Sequence, residues 1–317
     1  MSALVSTMFP IFGLMVIGFA SARARLIDEG GVRGLVFFVF NFSIPALLFD
    51  SMADMSFPPD LDWGFLIAFY GASFAVYGAG VGVGRFTFGR ALDEQAIFGM
   101  AAAFSNLVLM GIPIIMTALG PEASLPMLLI IGFHSATLMP LTVALIQTKR
   151  GGDAARHQRP SGLLRLSGIS VDVLRNPIIV GILLGFVANR SGATLWIGVQ
   201  SIVDFLAAAA VPCALFAMGA SLATYPLRGD VPPAIVLTLL KLVAHPLLVW
   251  TLAVPLLGLE GIAVSVAVVM ASMPSAVNVY LFGARYDAAP GVAARTVLLS
   301  TVASMVTIAV VLTLVAV

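Results

Sequence analysis

The chain has 317 residues, of which 60% are hydrophobic and only 10% are charged, and its formal net charge at pH 7 is +1. A soluble domain carries about a quarter charged residues, so this composition excludes a water-soluble globular protein and indicates an integral membrane protein. The small net charge gives no reason to expect a nucleic-acid partner. A single cysteine, Cys213, excludes internal disulfides and thiolate metal clusters.

Ten apolar segments of membrane-crossing length follow one another along the chain. Each is close to the ~20 residues that an α-helix needs to cross the hydrocarbon core of a bilayer. The first segment lacks the positively charged start of a signal peptide, so we expect it to be a membrane span. The predicted spans are residues 3–22, 31–51, 62–84, 95–118, 124–147, 172–190, 196–221, 231–256, 260–282 and 293–316.

The basic residues sort the loops onto two sides of the membrane. Loops after odd-numbered spans, with the adjoining span starts, are rich in arginine and lysine, whereas loops after even-numbered spans hold only Arg190. By the positive-inside rule the odd loops are cytoplasmic, which places both termini on the outer side. The longest connection, 149–170, is basic and rich in Gly and Pro, and we interpret it as a cytoplasmic linker that anchors the topology or binds anionic lipid.

An internal repeat divides the chain into halves 1–148 and 171–317. A shift of 167 residues overlays the halves without a gap across two spans. Because each half holds five spans, an odd number, the second half must enter the membrane in the opposite orientation. Inverted repeats are typical of secondary transporters, with the substrate site between the repeats, although channels contain them too. The overlaid pairs are Pro10 with Pro177, Gly18 with Gly185, Phe19 with Phe186, Pro45 with Pro212, Phe49 with Phe216 and Pro59 with Pro226.

Proline interrupts the fourth and ninth spans, which occupy equivalent positions in the two halves. Pro113 cannot donate to the carbonyl of Leu109, and Gly111 weakens the same turn. Pro274 frees the carbonyl of Met270 in the same way. We therefore expect helix breaks at Gly111–Pro113 and at Pro274. Since unpaired backbone groups are costly in hydrocarbon, such breaks indicate surrounding protein or a wet cavity and predict a transporter binding site.

Polar residues flank both predicted breaks. Asn106 lies two turns before its proline on the same helix face, Asn278 lies one turn after its own, and the hydroxyl groups of Ser105 and Ser275 lie beside them. The half-helices that begin after the breaks direct their positive N-terminal ends toward the membrane midplane, which suits an anion. These residues are predicted to line a binding site; alternatively, the asparagines only hydrogen-bond between packed helices.

Four stretches of the sequence match those of a known transporter family. They are "AFSNLVLMGIPI" (103–114), "NPIIVGILLG" (176–185), "KLVAHPLLVW" (241–250) and "MPSAVNVYLFGARY" (273–286). Through them, and along essentially its whole length, the chain resembles the auxin efflux carrier family of membrane transporters. Its bacterial members, including malonate-type carriers, are the closer match, which implies location in the bacterial cytoplasmic (inner) membrane.

This resemblance implies an all-α fold of ten transmembrane helices in two inverted five-helix repeats, like that of bile-acid sodium symporters and sodium/proton antiporters. Broken helices 4 and 9 would cross at their interruptions. Helices 1, 2, 6 and 7 would form a scaffold, often dimeric, and helices 3–5 and 8–10 a transport domain that moves as an elevator. The family's asparagine and crossover proline of the fourth span correspond to Asn106 and Pro113. Plant auxin carriers have a second ninth-span proline where this chain has Val279, which argues against auxin as substrate.

Three ionisable side chains inside predicted spans are candidates for a role in transport: His134, Lys241 and His245. Lys241 and His245 lie one turn apart on the eighth span, with Lys241 roughly 15 Å from its cytoplasmic end. Intramembrane cations usually face a cavity or a partner, so Lys241 is predicted to attract or bind the substrate. The alternatives are snorkelling to the interface and pairing with Asp204. His134 in the fifth span is either a proton carrier, since histidine titrates near neutral pH, or a hydrogen-bonded core residue.

Together these inferences predict a secondary transporter that moves a small organic anion, a mono- or dicarboxylate, by elevator-type alternating access. The alternatives are a sodium- or proton-coupled symporter with a dedicated ion site and a non-transporting membrane receptor. We recognise no catalytic set, metal-ligand cluster or cofactor motif, and expect neither an enzyme nor a bound metal or cofactor. The expected partners are the anion, membrane lipids and a second copy of the chain. The predicted substrate-binding residues are Ser105, Asn106, Gly111, Pro113, Lys241, Pro274, Ser275 and Asn278, with His134 and His245 in a proton or charge role.

Overall fold

The computed structural model describes residues 2–54, 63–150, 177–192, 195–223 and 230–315. Every regular element in these ranges is a helix, as the composition predicts. The predicted linker 149–170, apart from its first two positions, lies outside the described residues, and so do Pro59 and Pro226 of the repeat.

Twelve helices follow one another in the described ranges. Two pairs of them, α4 with α5 and α10 with α11, correspond to the fourth and ninth predicted spans. The helices are α1 (Ser2–Arg23), α2 (Glu29–Ala53), α3 (Gly64–Thr87), α4 (Leu92–Ala103), α5 (Leu107–Ala118), α6 (Ser124–Arg150), α7 (Pro177–Ser191), α8 (Ile197–Leu222), α9 (Val231–Leu256), α10 (Ile262–Ala271), α11 (Val277–Arg285) and α12 (Pro290–Val315).

Six of these helices are long and apolar enough to cross a membrane. They are α2, α3, α6 together with the short turn that precedes it, α8, α9 and α12. Shorter apolar helices occupy the positions of the other four predicted spans, at Phe9–Arg23, Leu107–Ala118, Pro177–Ser191 and Ile262–Ala271. The chain is thus a multi-pass membrane protein.

Several membrane helices contain a π-helical turn directly before a proline. In each, the amide of the residue before the proline donates to the carbonyl five residues back instead of four. Widening the helix by one residue accommodates the missing proline N–H and relieves the collision of the ring with the preceding turn. The turns are Val39–Ser43 before Pro45, Leu107–Gly111 before Pro113 and Leu240–Ala244 before Pro246.

Glycine residues allow α1 and α8 to pack backbone against backbone. A Cβ atom on Gly219 of α8 would overlap the carbonyl oxygen of Met15, and one on Gly18 of α1 would overlap that of Phe216. Close approach at small residues is how helices associate in lipid, where no hydrophobic effect drives them together.

The same kind of contact joins α2 to α7. Cβ atoms on Gly181 and Gly185 of α7 would overlap the carbonyl oxygens of Pro45 and Phe49. Because α8 also packs on α2, the helices α1, α2, α7 and α8 form one group. The remaining helices form a second group, in which α3 packs on α4, α4 on α6, α9 on α3, α10 and α12, and α11 on α12.

Candidate functional site

The two interruptions meet and pair with each other at the centre of the second group. Residues Ser105 and Ser275 form an isolated antiparallel β-bridge. The amide of Asn106 donates to the carbonyl of Pro274 at 2.8 Å, and the amide of Ala276 donates to the carbonyl of Phe104 at 3.0 Å. Backbone groups that a helix break would leave unpaired in hydrocarbon are thereby satisfied within the protein.

Side chains from neighbouring helices complete the pairing. The Ser105 amide donates to Nε2 of His134 on α6 at 2.9 Å, and the Ser275 amide donates to Oγ of Ser300 on α12 at 3.1 Å. Each bridging serine thus has its amide satisfied by the helix that follows its own interrupted span. Ser300 was not a sequence candidate, although Thr296, Ser300 and Ser304 are spaced four residues apart in α12 and all three are buried.

The interruption in the fourth span lies earlier than predicted. We expected it at Gly111–Pro113, but the helix breaks at Phe104–Asn106, and Pro113 lies inside the second half-helix α5. The π-helical turn before Pro113 absorbs the effect of the proline without ending the helix. In the ninth span Pro274 does lie in the interruption, as predicted.

Both candidate asparagines stand at the start of the second half-helix. Asn106 is the residue before α5, and its Nδ2 lies 3.2 Å from Sδ of Met218 on α8. Asn278 is the second residue of α11. Although Asn106 precedes its proline and Asn278 follows its own, the earlier break in the fourth span places both within two residues of the start of a half-helix.

A cavity of about 290 Å³ lies where the crossing faces α2, α6 and α7. The first turns of α5 and α11 form one side, and apolar residues of α7 such as Ile178 and Ile182 form another. Among the described residues none that lines it is Lys, Arg, Asp or Glu. The polar residues in its lining are Ser105, Asn106, His134, Ser135 and Asn278.

Several other predicted site residues are outside this lining. Ser275 lies behind the crossing, where its Oγ donates to the carbonyl of Ala101 at 2.6 Å near the C-terminal end of α4. Gly111 faces Met270, whose sulfur would lie 2.9 Å from a Cβ atom added there. The predicted residues that do not line the cavity are Gly111, Pro113, Lys241, His245, Pro274 and Ser275.

Lys241 is wholly buried and belongs to a directed chain of hydrogen bonds. Its Nζ donates to the carbonyl of Ala271, the last residue of α10, at 2.7 Å and lies 3.0 Å from Nδ1 of His245. Ser73 donates to the carbonyl of Phe69, so its Oγ accepts from Nε2 of His245 at 2.9 Å. It follows that Nδ1 of His245 accepts from Lys241, which leaves every member of the chain bonded.

The structure contradicts both alternatives to a substrate role for Lys241, which were snorkelling to the interface and pairing with Asp204. It does not snorkel to the membrane surface, since it has no exposed area, and Asp204 instead accepts from Gln200 at 2.8 Å. Among the described residues Lys241 has no carboxylate partner. Its ammonium group stands at the C-terminal end of a half-helix, where the helix dipole favours a cation.

Crossed, interrupted helices beside a cavity in an apolar, multi-helix chain define a membrane transporter. A family model described as "Membrane transport protein" matches residues 3–312. The chain belongs to this family, the auxin efflux carrier family that the four sequence stretches resemble. This membership supports a role in membrane transport for the chain.

Of three curated relatives that the chain resembles, two are named as transporters. The "Putative malonate transporter" of Rhizobium meliloti (strain 1021) is 31% identical over 97% of this chain and 94% of that protein. An "Uncharacterized transporter" of Methanothermobacter thermautotrophicus is 25% identical over 95% of each chain. The "Lysosomal cholesterol signaling protein" of Mus musculus is 27% identical over 77% of this chain, which spans only 29% of that longer protein.

Proposed function

We propose that the protein is a secondary transporter of a small organic anion, a mono- or dicarboxylate, in the bacterial cytoplasmic membrane. The observation that carries this proposal is the cavity at the first turns of α5 and α11. The amides of a helix's first turn have no partners within the helix, and the helix dipole adds partial positive charge there. Two such ends on one cavity favour an anionic ligand.

The size and the lining of the cavity support a small carboxylate. Its volume of about 290 Å³ is at the lower end of the ~300–1,000 Å³ typical of ligand pockets. The side-chain amides of Asn106 and Asn278 can donate to a carboxylate. The relative from Rhizobium meliloti named for malonate is consistent with a dicarboxylate.

We further propose ten membrane crossings arranged as two inverted repeats, residues 1–148 and 171–317. Two glycine contacts support this arrangement. Gly18 meets the carbonyl of Phe216, and Gly185 meets the carbonyl of Phe49. The 167-residue shift that places Gly18 on Gly185 also places Phe49 on Phe216, so each contact becomes the other when the repeats are exchanged.

The two groups of helices suggest how the site moves. In this proposal α1, α2, α7 and α8 are a fixed scaffold, embedded in lipid and joined to a second copy, and the other helices carry the crossing as an elevator. The cavity supports this division because the crossing contributes one side and the scaffold helices α2 and α7 contribute another. Movement of one group along the other would expose the same cavity to either face of the membrane.

The assignment of loops to two sides is supported by contacts between them, and the positive-inside rule then places both termini outside. Arg90, which follows α3, pairs with Asp230, which precedes α9, and both belong to loops assigned to the cytoplasm. Gln200 at the start of α8 donates to Asp50 near the end of α2 at 3.0 Å, and both are assigned to the outer side.

We expect single cysteines to report this orientation when placed in a Cys213→Ser background. Ala24 and Glu122 are exposed and lie in loops assigned to opposite sides. A membrane-impermeant maleimide applied to intact cells should label Glu122→Cys at once and Ala24→Cys only after permeabilisation. The reverse pattern would show that the positive-inside assignment is wrong.

We expect Asn106→Ala and Asn278→Ala to weaken transport and substrate affinity by about tenfold or more, because each removes a hydrogen bond to a charged group. Uptake of labelled malonate, succinate and acetate into proteoliposomes, with thermal stabilisation of detergent-purified protein by the same acids, measures both. Asn41→Ala is the matched control, since Asn41 lies in α2 outside the cavity and its Nδ2 donates to its own helix at Phe37.

Other results of that experiment would favour the alternatives. Stabilisation by sodium alone would favour an ion-coupled symporter, and binding without uptake would favour a receptor. Wild-type transport by both asparagine variants would contradict the assignment of the site.

A further inference from the structure

The two sides of the crossing differ in how their side chains are used. On the α12 side, Ser275 donates to the carbonyl of Ala101, and Ser300 accepts from the Ser275 amide and donates to the carbonyl of Val297. On the α6 side, Oγ of Ser105 and Nδ1 of His134 are buried and have no hydrogen-bond partner among the described residues. The cavity lies on the α6 side.

The hydrogen bond to Ser105 determines the tautomer of His134. A peptide amide can only donate, so Nε2 of His134, 2.9 Å from the Ser105 amide, must be an acceptor without a proton. A neutral imidazole then carries its proton on Nδ1. A proton on Nε2 would point toward the N–H of Ser105, and the hydrogen bond between the two residues would be lost. This conformation therefore requires the neutral ring.

The unused groups are therefore two hydrogen-bond donors, the Nδ1–H of His134 and the hydroxyl of Ser105. Both residues are only 2% exposed, and both line the cavity. A buried polar group without a partner costs about 1–3 kcal/mol, so each of these donors calls for a partner that the cavity can hold.

We propose that these two donors bind the carboxylate of the transported anion and that His134 acts as a neutral donor instead of a proton carrier. This inference rests on the proposed function and assigns a specific contact within it. A carboxylate has two oxygen atoms that can only accept, so it can take a hydrogen bond from each of these donors. Since no cationic side chain lines the described cavity, neutral donors of this kind bind an anion without a fixed counter-charge.

Two substitutions at His134 test the roles of its two ring nitrogen atoms one at a time. The amide of glutamine can present an oxygen acceptor where Nε2 lies, and the amide of asparagine can present an N–H donor where Nδ1 lies. We expect His134→Gln to keep the unfolding temperature without ligand and to bind malonate about tenfold or more weakly. We expect His134→Asn to unfold at a lower temperature and to bind malonate within a few-fold of wild type.

The two bridging serines provide a second, matched comparison. Ser105→Ala removes an unused hydroxyl and should weaken malonate binding with little loss of thermal stability. Ser275→Ala removes the donor to Ala101 and should lower the unfolding temperature while the stabilisation by malonate persists. Binding and stability are both read from thermal unfolding of the purified chain with and without malonate, succinate and acetate.

The results separate this inference from the proposed function. If no carboxylate stabilises the wild-type protein or is taken up into proteoliposomes that contain it, the proposed function fails, and this inference fails with it. If wild type binds malonate and His134→Gln binds it equally well, only the role of His134 is overturned. Equal losses of binding in His134→Gln and His134→Asn would also overturn it, because they would indicate a requirement for the ring and not for the Nδ1 donor.

Discussion

Gly219→Ala is expected to destabilise the protein by roughly 3 kcal/mol or more, at the upper end of the usual effect of overpacking. A methyl group at this position would overlap the carbonyl oxygen of Met15, and the clash is with backbone, which cannot move aside like a flexible side chain. The change forces α1 away from α8 along the closest contact between them. Thermal unfolding of the purified protein in detergent measures the loss.

The matched control is Gly13→Ala on α1, where an added Cβ has no neighbouring atom within 4 Å. Alanine is the better helix former by about 1 kcal/mol, so this control should be neutral or slightly stabilising. Equal unfolding temperatures for Gly219→Ala and Gly13→Ala would show that α1 and α8 do not pack as described. We also expect Gly219→Ala to lose transport activity, because α1 and α8 of the proposed scaffold would no longer pack together.

Lys241→Ala is expected to be the second severely destabilising change. Truncating a fully buried long side chain typically costs about 2–5 kcal/mol, and here the carbonyl of Ala271 and Nδ1 of His245 also lose their donor. Lys241→Met fills most of the volume without the ammonium group, so it should cost about 1–3 kcal/mol, the penalty for unpaired buried groups. The difference between the two variants separates packing from hydrogen bonding.

Chemical rescue sharpens this test of Lys241. A small primary amine such as propylammonium should raise the unfolding temperature of Lys241→Ala, whose vacated space it can enter, and leave Lys241→Met unchanged. If Lys241→Ala unfolds like wild type but is no longer stabilised by malonate, the lysine is a substrate ligand, as the sequence predicted. If the variant neither loses stability nor loses malonate binding, both roles are contradicted.

The membrane character and the interrupted spans could be read from the sequence because both are local properties of the chain. The length of an apolar segment decides whether it can cross a bilayer. A proline marks a turn where one backbone carbonyl loses its hydrogen-bond partner within the helix. The ninth-span interruption at Pro274 was located in this way. In the fourth span the same reasoning was misled, since a helix can absorb Pro113 by widening one turn, and the break at Ser105 carries no proline at all.

The candidate site was predicted only in part. Asn106, Asn278 and Ser105 do line the cavity, while Lys241 and Ser275, equally plausible by type and position, are bonded to the carbonyls of Ala271 and Ala101. A polar residue in an apolar span signals that it needs a partner. It does not signal whether that partner is the protein's own backbone or a ligand.

By itself, the sequence determined an apolar, multi-pass membrane protein with prolines inside its apolar segments, because these features follow from composition and from spacing along the chain. The repeat and the resemblance to the auxin efflux carrier family then predicted a transporter. Only the tertiary structure decided that Ser105 pairs with Ser275, that His134 supports this pairing through Nε2, and that the buried Lys241 bonds the end of α10. The physical reason is that the partners in these contacts lie on different helices, far apart along the chain, so packing determines which donors are satisfied and which two remain for a ligand.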